Sequence, residues 1–159
     1  MIEKCILLSV NPPFADWLVT GYKTIEWRKK PLPLGKAYIY ETKKNGGCGA
    51  VIGEITITGN KKTDGIIYLP TKTISHGRVS YSDLLAYANG KQIFANQCAN
   101  NVKYATPKDL NDFEKPCPFV DCIFCKYYYD GSLYEPPSCD YEGELVKRPP
   151  QSWMYVEEL

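Results

Sequence analysis

Histidine is almost missing from this chain of 159 residues, which holds a single one, His76. A Ser–His–Asp relay needs that imidazole beside a nucleophile motif, and no such motif is present. His76, in Ser75-His76-Gly77-Arg78, is therefore read as a solvated loop residue. Net charge is close to absent as well. The 19 Lys and Arg against 18 Asp and Glu leave +1 with His neutral. No bulk basic field exists, so nucleic-acid recognition would have to rest on local clustering of charge. No apolar run approaches the length of a membrane span. The opening MIEKCILLSVNPP carries an apolar run too short for a signal peptide, with an acid before it. The expected location is cytoplasmic, with no processing. Neither G-x-G-x-x-G nor G-x-x-x-x-G-K-[ST] occurs, so no nucleotide-phosphate cradle is visible.

What is present is ordinary in bulk and unusual in places. The length predicts one domain over 1–159 with a sizeable core. Thirteen tyrosines supply the aromatic faces that stacking on bases requires. Seven cysteines is an odd count, which in a reducing compartment points to free thiols or a metal site before disulfides.

The chain is organised around Asn11 to Arg28, NPPFADWLVTGYKTIEWR. Asn11 is read as an N-cap and Pro12 as the first helical residue, where a missing N–H costs nothing. Phe14, Trp17 and Leu18 fall on one face at i, i+3, i+4. Gly21 supplies a left-handed stop. A period-two strand follows, with Thr24, Glu26 and Arg28 on one face and Ile25 and Trp27 on the other. An anion and a cation thus project side by side from a strand beside a helix end, with Lys23 just before them. The plainer reading of these residues is a surface ion pair of little energetic weight and a solvated lysine.

The segment Gly21-x-Lys23-x-x-Glu26-x-Arg28 resembles the G-x-K-x-x-E-x-R signature of the ASCH domain family, relatives of the PUA domain. Ile6-Leu7-Leu8-Ser9-Val10 with Pro12, Val51-Ile52-Gly53-Glu54 and Pro149-Pro150-Gln151-Ser152-Trp153 are similar to that family's pattern. The resemblance covers about 5–110 and 148–157. It implies a PUA-like fold and a cleft, between the first helix and the barrel, that receives a nucleotide or modified base. Lys23 and Arg28 would then attract phosphate or a base acceptor. Some ASCH relatives are amidohydrolases acting on an acylated cytidine nucleoside, and others have been proposed as ribonucleases. In the amidohydrolases a threonine stands three residues after the lysine, where this chain has Glu26; Thr24 lies one residue after Lys23.

The rest reads mainly as short strands. Cys5–Val10 is a buried first strand and Ala37–Thr42 a third, with Tyr38 and Tyr40 sharing a face. Asn45-Gly46 suits a hairpin turn. Val51–Thr58 alternates cleanly, and Gly53 within it marks a bulge or a close backbone approach. Short extended pieces are expected at Ile66–Leu69 and Thr71–Ile74. A second helix starts from Ser80 or Ser82, carries Tyr81, Leu84, Leu85 and Ala88 as its apolar stripe, and ends at Gly90. Ile93–Tyr104 is one long strand or two short ones, with the break at Asn100-Asn101, and Ser152–Val156 closes the fold against an early strand. From 113 to 148 the composition shifts and the family likeness lapses. Cys117, Cys122, Cys125 and Cys139, spaced C-x4-C-x2-C-x13-C, are candidate ligands of a structural zinc. Reduced thiols, or a disulfide such as Cys117 to Cys122, are the alternatives.

The expected fold is α+β and mostly β: a small PUA-like barrel with two flanking helices and a cysteine-bearing insertion before the last strand. The leading functional expectation is binding of RNA or a modified nucleotide through Lys23, Glu26 and Arg28. Glu26 would accept from a base amine, Tyr38 or Tyr40 would stack, and Lys29, Lys30, Lys43 and Lys44 would add backbone contacts. The alternative is a hydrolase, a nucleoside amidohydrolase or ribonuclease, using Lys23 and Glu26 as base and acid. A protein-interaction module, with the cysteine-bearing segment as contact surface, is a third reading.

Overall fold

The computed structural model describes residues 5–63, 75–118 and 142–159. In chain order the main elements are β1 (Cys5–Val10), α1 (Phe14–Val19), β2 (Ile25–Arg28), β3 (Gly35–Glu41), β4 (Ala50–Thr63), α2 (Tyr81–Ala88), β5 (Ile93–Lys108), the short pair β6 (Glu114–Lys115) and β7 (Glu144–Leu145), and β8 (Trp153–Val156). The extended pieces expected at 66–69 and 71–74, and Cys122, Cys125 and Cys139, lie outside the described residues.

Six strands form one mixed sheet in the order β2-β5-β4-β3-β1-β8. β1 runs parallel to β3 and antiparallel to β8, so both its edges are paired. Both its faces are covered too, which is why it reads as an unbroken apolar run. Ile6, Leu8 and Val10 face a core under α1, with Ala15, Leu18, Val19, Ile39 and Ile55. Burying a side chain such as Leu18 there stabilises by roughly 2 kcal/mol. Cys5 and Leu7 face a second core with Tyr38, Tyr40, Val51, Phe113, Val146 and Val156. A third cluster, including Ile25, Trp27, Leu84, Ala88 and Ile93, seats α2 on the β2–β5 end of the sheet.

The sheet is mostly antiparallel and carries the expected two helices, but its described strand ladders do not run on into a closed ring. Among the described residues no ladder joins β2 to β8, and the sheet has two ends. β2 has four residues and runs into Lys29-Lys30-Pro31-Leu32-Pro33, whose prolines lack the N–H that a ladder needs. A side chain spans the gap instead: Arg28 Nη2 donates to the Ser9 carbonyl at 2.9 Å and Nη1 to Ser152 Oγ at 3.3 Å.

Other boundaries shift for local reasons. Helix α1 begins at Phe14 with Pro13, not Asn11, as its N-cap. Asn11 acts differently: its carbonyl accepts the Ala15 N–H, and its side-chain oxygen accepts from Thr42 Oγ1. β4 continues to Thr63 through Gly59-Asn60-Lys61-Lys62, a polar run that pairs with β5 while leaving side chains exposed. Gly53 does mark a close approach. A Cβ there would fall 2.1 Å from the Val102 carbonyl and 2.7 Å from the Val19 side chain, so glycine lets α1 sit on the sheet. On α2 only Leu84 and Ala88 of the expected stripe are buried; Tyr81 and Leu85 are exposed. The expected insertion is anchored by its ends. Phe113 and Val146 are core residues, and Val146 N–H donates to the Phe113 carbonyl.

Candidate nucleotide-binding site

Gly21 takes φ +79° at the end of α1, and the Lys23 N–H then donates back to the Trp17 carbonyl at 2.9 Å. This turn sends the Lys23 side chain inward, where it is 1% exposed. Its ammonium donates to the Gly77 carbonyl, stands 3.5 Å from Glu26 Oε2, and lies 5.4 Å from the centre of the Phe14 ring. Glu26 Oε1 accepts from Arg28 Nε at 2.9 Å. Strand alternation thus places Glu26 and Arg28 on one face as expected, and the two cations flank one carboxylate. The surface-pair reading fails, because Glu26 is 7% exposed.

Burial holds the Lys23 ammonium below the usual lysine range, with the Glu26 charge opposing that shift. A lysine whose folded pKa lies below its unfolded value costs stability while protonated. The cost fades as pH rises from the folded pKa toward 10.5. Urea unfolding of the native protein and Lys23→Met should therefore show the native chain gaining on the variant as pH is raised to that value. A stability difference independent of pH would contradict the buried charge.

Residues 75–78 lie across this turn like a strap. The His76 carbonyl accepts from the Thr24 N–H, the Gly77 carbonyl from Lys23, and Arg78 Nε donates to the Tyr22 carbonyl. Glycine is required at 77, since a Cβ would sit 2.1 Å from Trp27 Nε1. Behind β2, Asn96 is fully buried. Its Nδ2 donates to the Glu26 carbonyl, and its Oδ1 accepts from the Leu32 N–H and Asn60 Nδ2, each at 2.9 Å. This net fixes the backbone that carries Glu26.

Above the three charged residues opens a cavity of about 600 Å³. Phe14 and Trp17 of α1 form one wall, and Leu84 and Tyr87 of α2 another, with Lys23, Glu26 and Arg28 between them. Sequence reasoning missed Trp17 and Tyr87 as site residues. Each follows a core residue at helical spacing, and only the meeting of two helices over β2 makes them face one space. Tyr40 and Tyr38 are not there. They point to the opposite face of β3 into the second core, at 4% and 1% exposure, and Tyr38 Oη accepts the Leu159 N–H. Thr24 does not line the cavity either. Lys29 stands 5.2 Å from the centre of the Tyr87 ring, while Lys30, Lys43 and Lys44 are exposed. Of the four candidate zinc ligands only Cys117 is described, as a partly buried free thiol. Among the described residues no group of three or more His, Cys, Asp or Glu could hold a metal.

The same arrangement of elements occurs in crystal structures of an ASCH protein from Zymomonas mobilis. The native protein has a TM-score of 0.65 at 21% identity, covering 98% of this chain and 89% of that one. The chain has the ASCH-domain fold. A tyrosine-to-phenylalanine variant of that protein gives 0.65 at 20% identity over 98% of this chain and 92% of its own. A serine-to-alanine variant gives 0.64 at 19% identity, over 99% and 92%. No protein-family model matches the sequence, and no curated protein matches it. The likeness is one of fold. Within the ASCH fold of this chain, the stretch from Gly21 to Arg28 joins α1 to the sheet end that α2 covers. Among the described residues no helix is long and apolar enough to cross a membrane.

Proposed function

We propose that this protein binds RNA, or a single modified nucleotide, in the cytoplasm by taking one base into the cavity between α1 and α2. The whole chain acts as a single domain, its sheet curled into a PUA-like barrel whose seam Arg28 bridges, with 113–148 inserted before the last strand. The observation that carries the reading is the buried Lys23–Glu26–Arg28 chain at the bottom of an aromatic-walled cavity of about 600 Å³, a size ordinary for a small-ligand site.

The hydrogen-bond inventory supports a base edge. Glu26 accepts one close bond from Arg28 and a longer contact from Lys23, which leaves carboxylate lone pairs open. Arg28 uses Nε and one proton on each Nη, leaving two of its five donors. An acceptor beside two donors matches an amine beside a ring nitrogen or carbonyl, as on a splayed single-stranded base. Stacking on Trp17 or Tyr87 adds about 1–3 kcal/mol. Lys29, Lys30, Lys43 and Lys44 supply backbone contacts.

Tryptophan fluorescence reads the binding directly, because Trp17 and Trp27 line the cavity. Short single-stranded RNA should quench it with an affinity that falls steeply with salt, and Arg28→Ala should weaken it by about tenfold or more. A salt-independent affinity untouched by Arg28→Ala overturns the reading.

A second reading, hydrolysis by a nucleoside amidohydrolase or ribonuclease with Lys23 and Glu26 as base and acid, is favoured by one observation. Burial lowers the Lys23 pKa beside a carboxylate, as a general base requires. The position of Thr24 outside the cavity counts against the amidohydrolase form. Turnover of an acylated cytidine, or RNA cleavage, abolished by Lys23→Ala would promote it.

A further inference from the structure

Both signature cations are already committed, Lys23 to Glu26 and the Gly77 carbonyl, Arg28 to Glu26, Ser9 and Ser152. The cavity wall holds a third, Arg78, which lies outside the signature. Its placement is unusual for a surface arginine. The backbone sits at φ +53°, a region an L side chain seldom adopts. Its Nε donates to the Tyr22 carbonyl at 2.8 Å. Its guanidinium carbon lies 3.8 Å from the centre of the Tyr22 ring, and that ring packs edge-on against Trp17, centroids 5.4 Å apart at 72°. Stacking and the Nε bond fix the guanidinium plane, yet among the described residues neither Nη has a partner. Four N–H donors are thus held in a set orientation at the edge of the cavity.

We propose that Arg78 is a phosphate clamp, so that the site takes a phosphorylated nucleotide, free or within a strand, and not a bare nucleoside. This rests on the base-in-cavity reading above. A planar fork of donors matches two phosphate oxygens, which a lysine's single ammonium does not. Pre-organisation by Tyr22 means little side-chain freedom is lost when phosphate arrives. The remaining carboxylate on the wall, Asp83, is turned to its own helix start, accepting from Ser80 Oγ at 2.6 Å, and forms no ion pair with Arg78. The strap that carries Arg78 also supplies the Gly77 carbonyl to Lys23, so phosphate and base contacts are set by one segment.

The test is calorimetric titration with the four ribonucleosides and their 3′- and 5′-monophosphates against the native protein, Arg78→Gly and Arg78→Lys. Glycine is the cleaner deletion because it accepts the left-handed backbone without strain. At least one nucleoside should bind the native chain, and one of its monophosphates should bind about tenfold tighter or more. Arg78→Gly should bring that monophosphate down to the nucleoside's affinity while leaving the nucleoside within about twofold, and Arg78→Lys should restore part of the difference. A nucleoside that binds as well as its monophosphates overturns the clamp and leaves the base site standing. Equal losses for nucleoside and monophosphate in Arg78→Gly make Arg78 a merely structural cap on Tyr22. No binding of any nucleoside or nucleotide overturns the clamp, while the base site stands or falls with the RNA titration and Arg28→Ala.

Discussion

Glu26→Gln is expected to lower the unfolding free energy by about 3 kcal/mol at pH 7, because it leaves Lys23 and Arg28 as adjacent positive charges with no anion between them. The low end of the range for breaking a buried pair applies for two reasons. The glutamine carbonyl still accepts from Arg28, and the Arg28 side chain keeps 17% of its exposure. Lys23 has an escape from the like charge: it can lose its proton. Removing Glu26 takes away the partner that raises its pKa, so the folded-state pKa falls further below 10.5. The deficit of the variant should therefore shrink as pH rises toward that value. Urea unfolding at neutral pH and near pH 9.5 measures both parts. A loss under about 1 kcal/mol at pH 7 would show that the triad is solvated. Replacing Lys103, whose pair with Asp16 is half exposed, serves as the control and should have little effect.

Asn96→Ala should be as damaging, with a loss of about 3–5 kcal/mol, although Asn96 touches no part of the cavity. Its amide is fully buried and makes contacts in both directions: it donates to the Glu26 and Phe94 carbonyls and accepts from the Leu32 N–H and Asn60 Nδ2. Alanine orphans these groups where water does not reach the vacated site, at about 1–3 kcal/mol for each that stays unpaired. Asn60 can turn to solvent, so the Leu32 N–H and the Glu26 carbonyl set the loss. The variant should also bind RNA more weakly than its reduced stability explains, because the backbone of Glu26 is no longer pinned. Chemical denaturation and RNA titration on the same variant separate the two effects. Retention of full stability would mean the network is not worth what its burial implies.

Much of this site was legible in one dimension. Gly21 after an apolar helix face, then Glu26 and Arg28 two residues apart in an alternating strand, dictates that acid and base leave the strand on one side, because side chains alternate with period two. The same alternation put Tyr38 and Tyr40 on a common face, and they share one. It did not tell which face. β3 is covered on both sides, and for a strand buried on both faces alternation carries no label distinguishing core from cavity. The tyrosines went to the second core, and Trp17 and Tyr87 took the place at the cavity wall.

Local order and charge pairing, then, belong to the sequence: the helix that stops at Gly21, the strand beyond it, the ion pair that strand presents, and the glycine at 53 that admits close packing. Tertiary structure alone decided that Lys23 is buried, that Arg28 spans the two ends of the sheet, that Asn96 anchors Glu26, and that Arg78 faces the same cavity. The reason is separation along the chain. Arg28 and Ser152, Glu26 and Asn96, and Lys23 and Gly77 are brought together only when the sheet curls and α2 covers its end, and no local periodicity encodes a contact at that range.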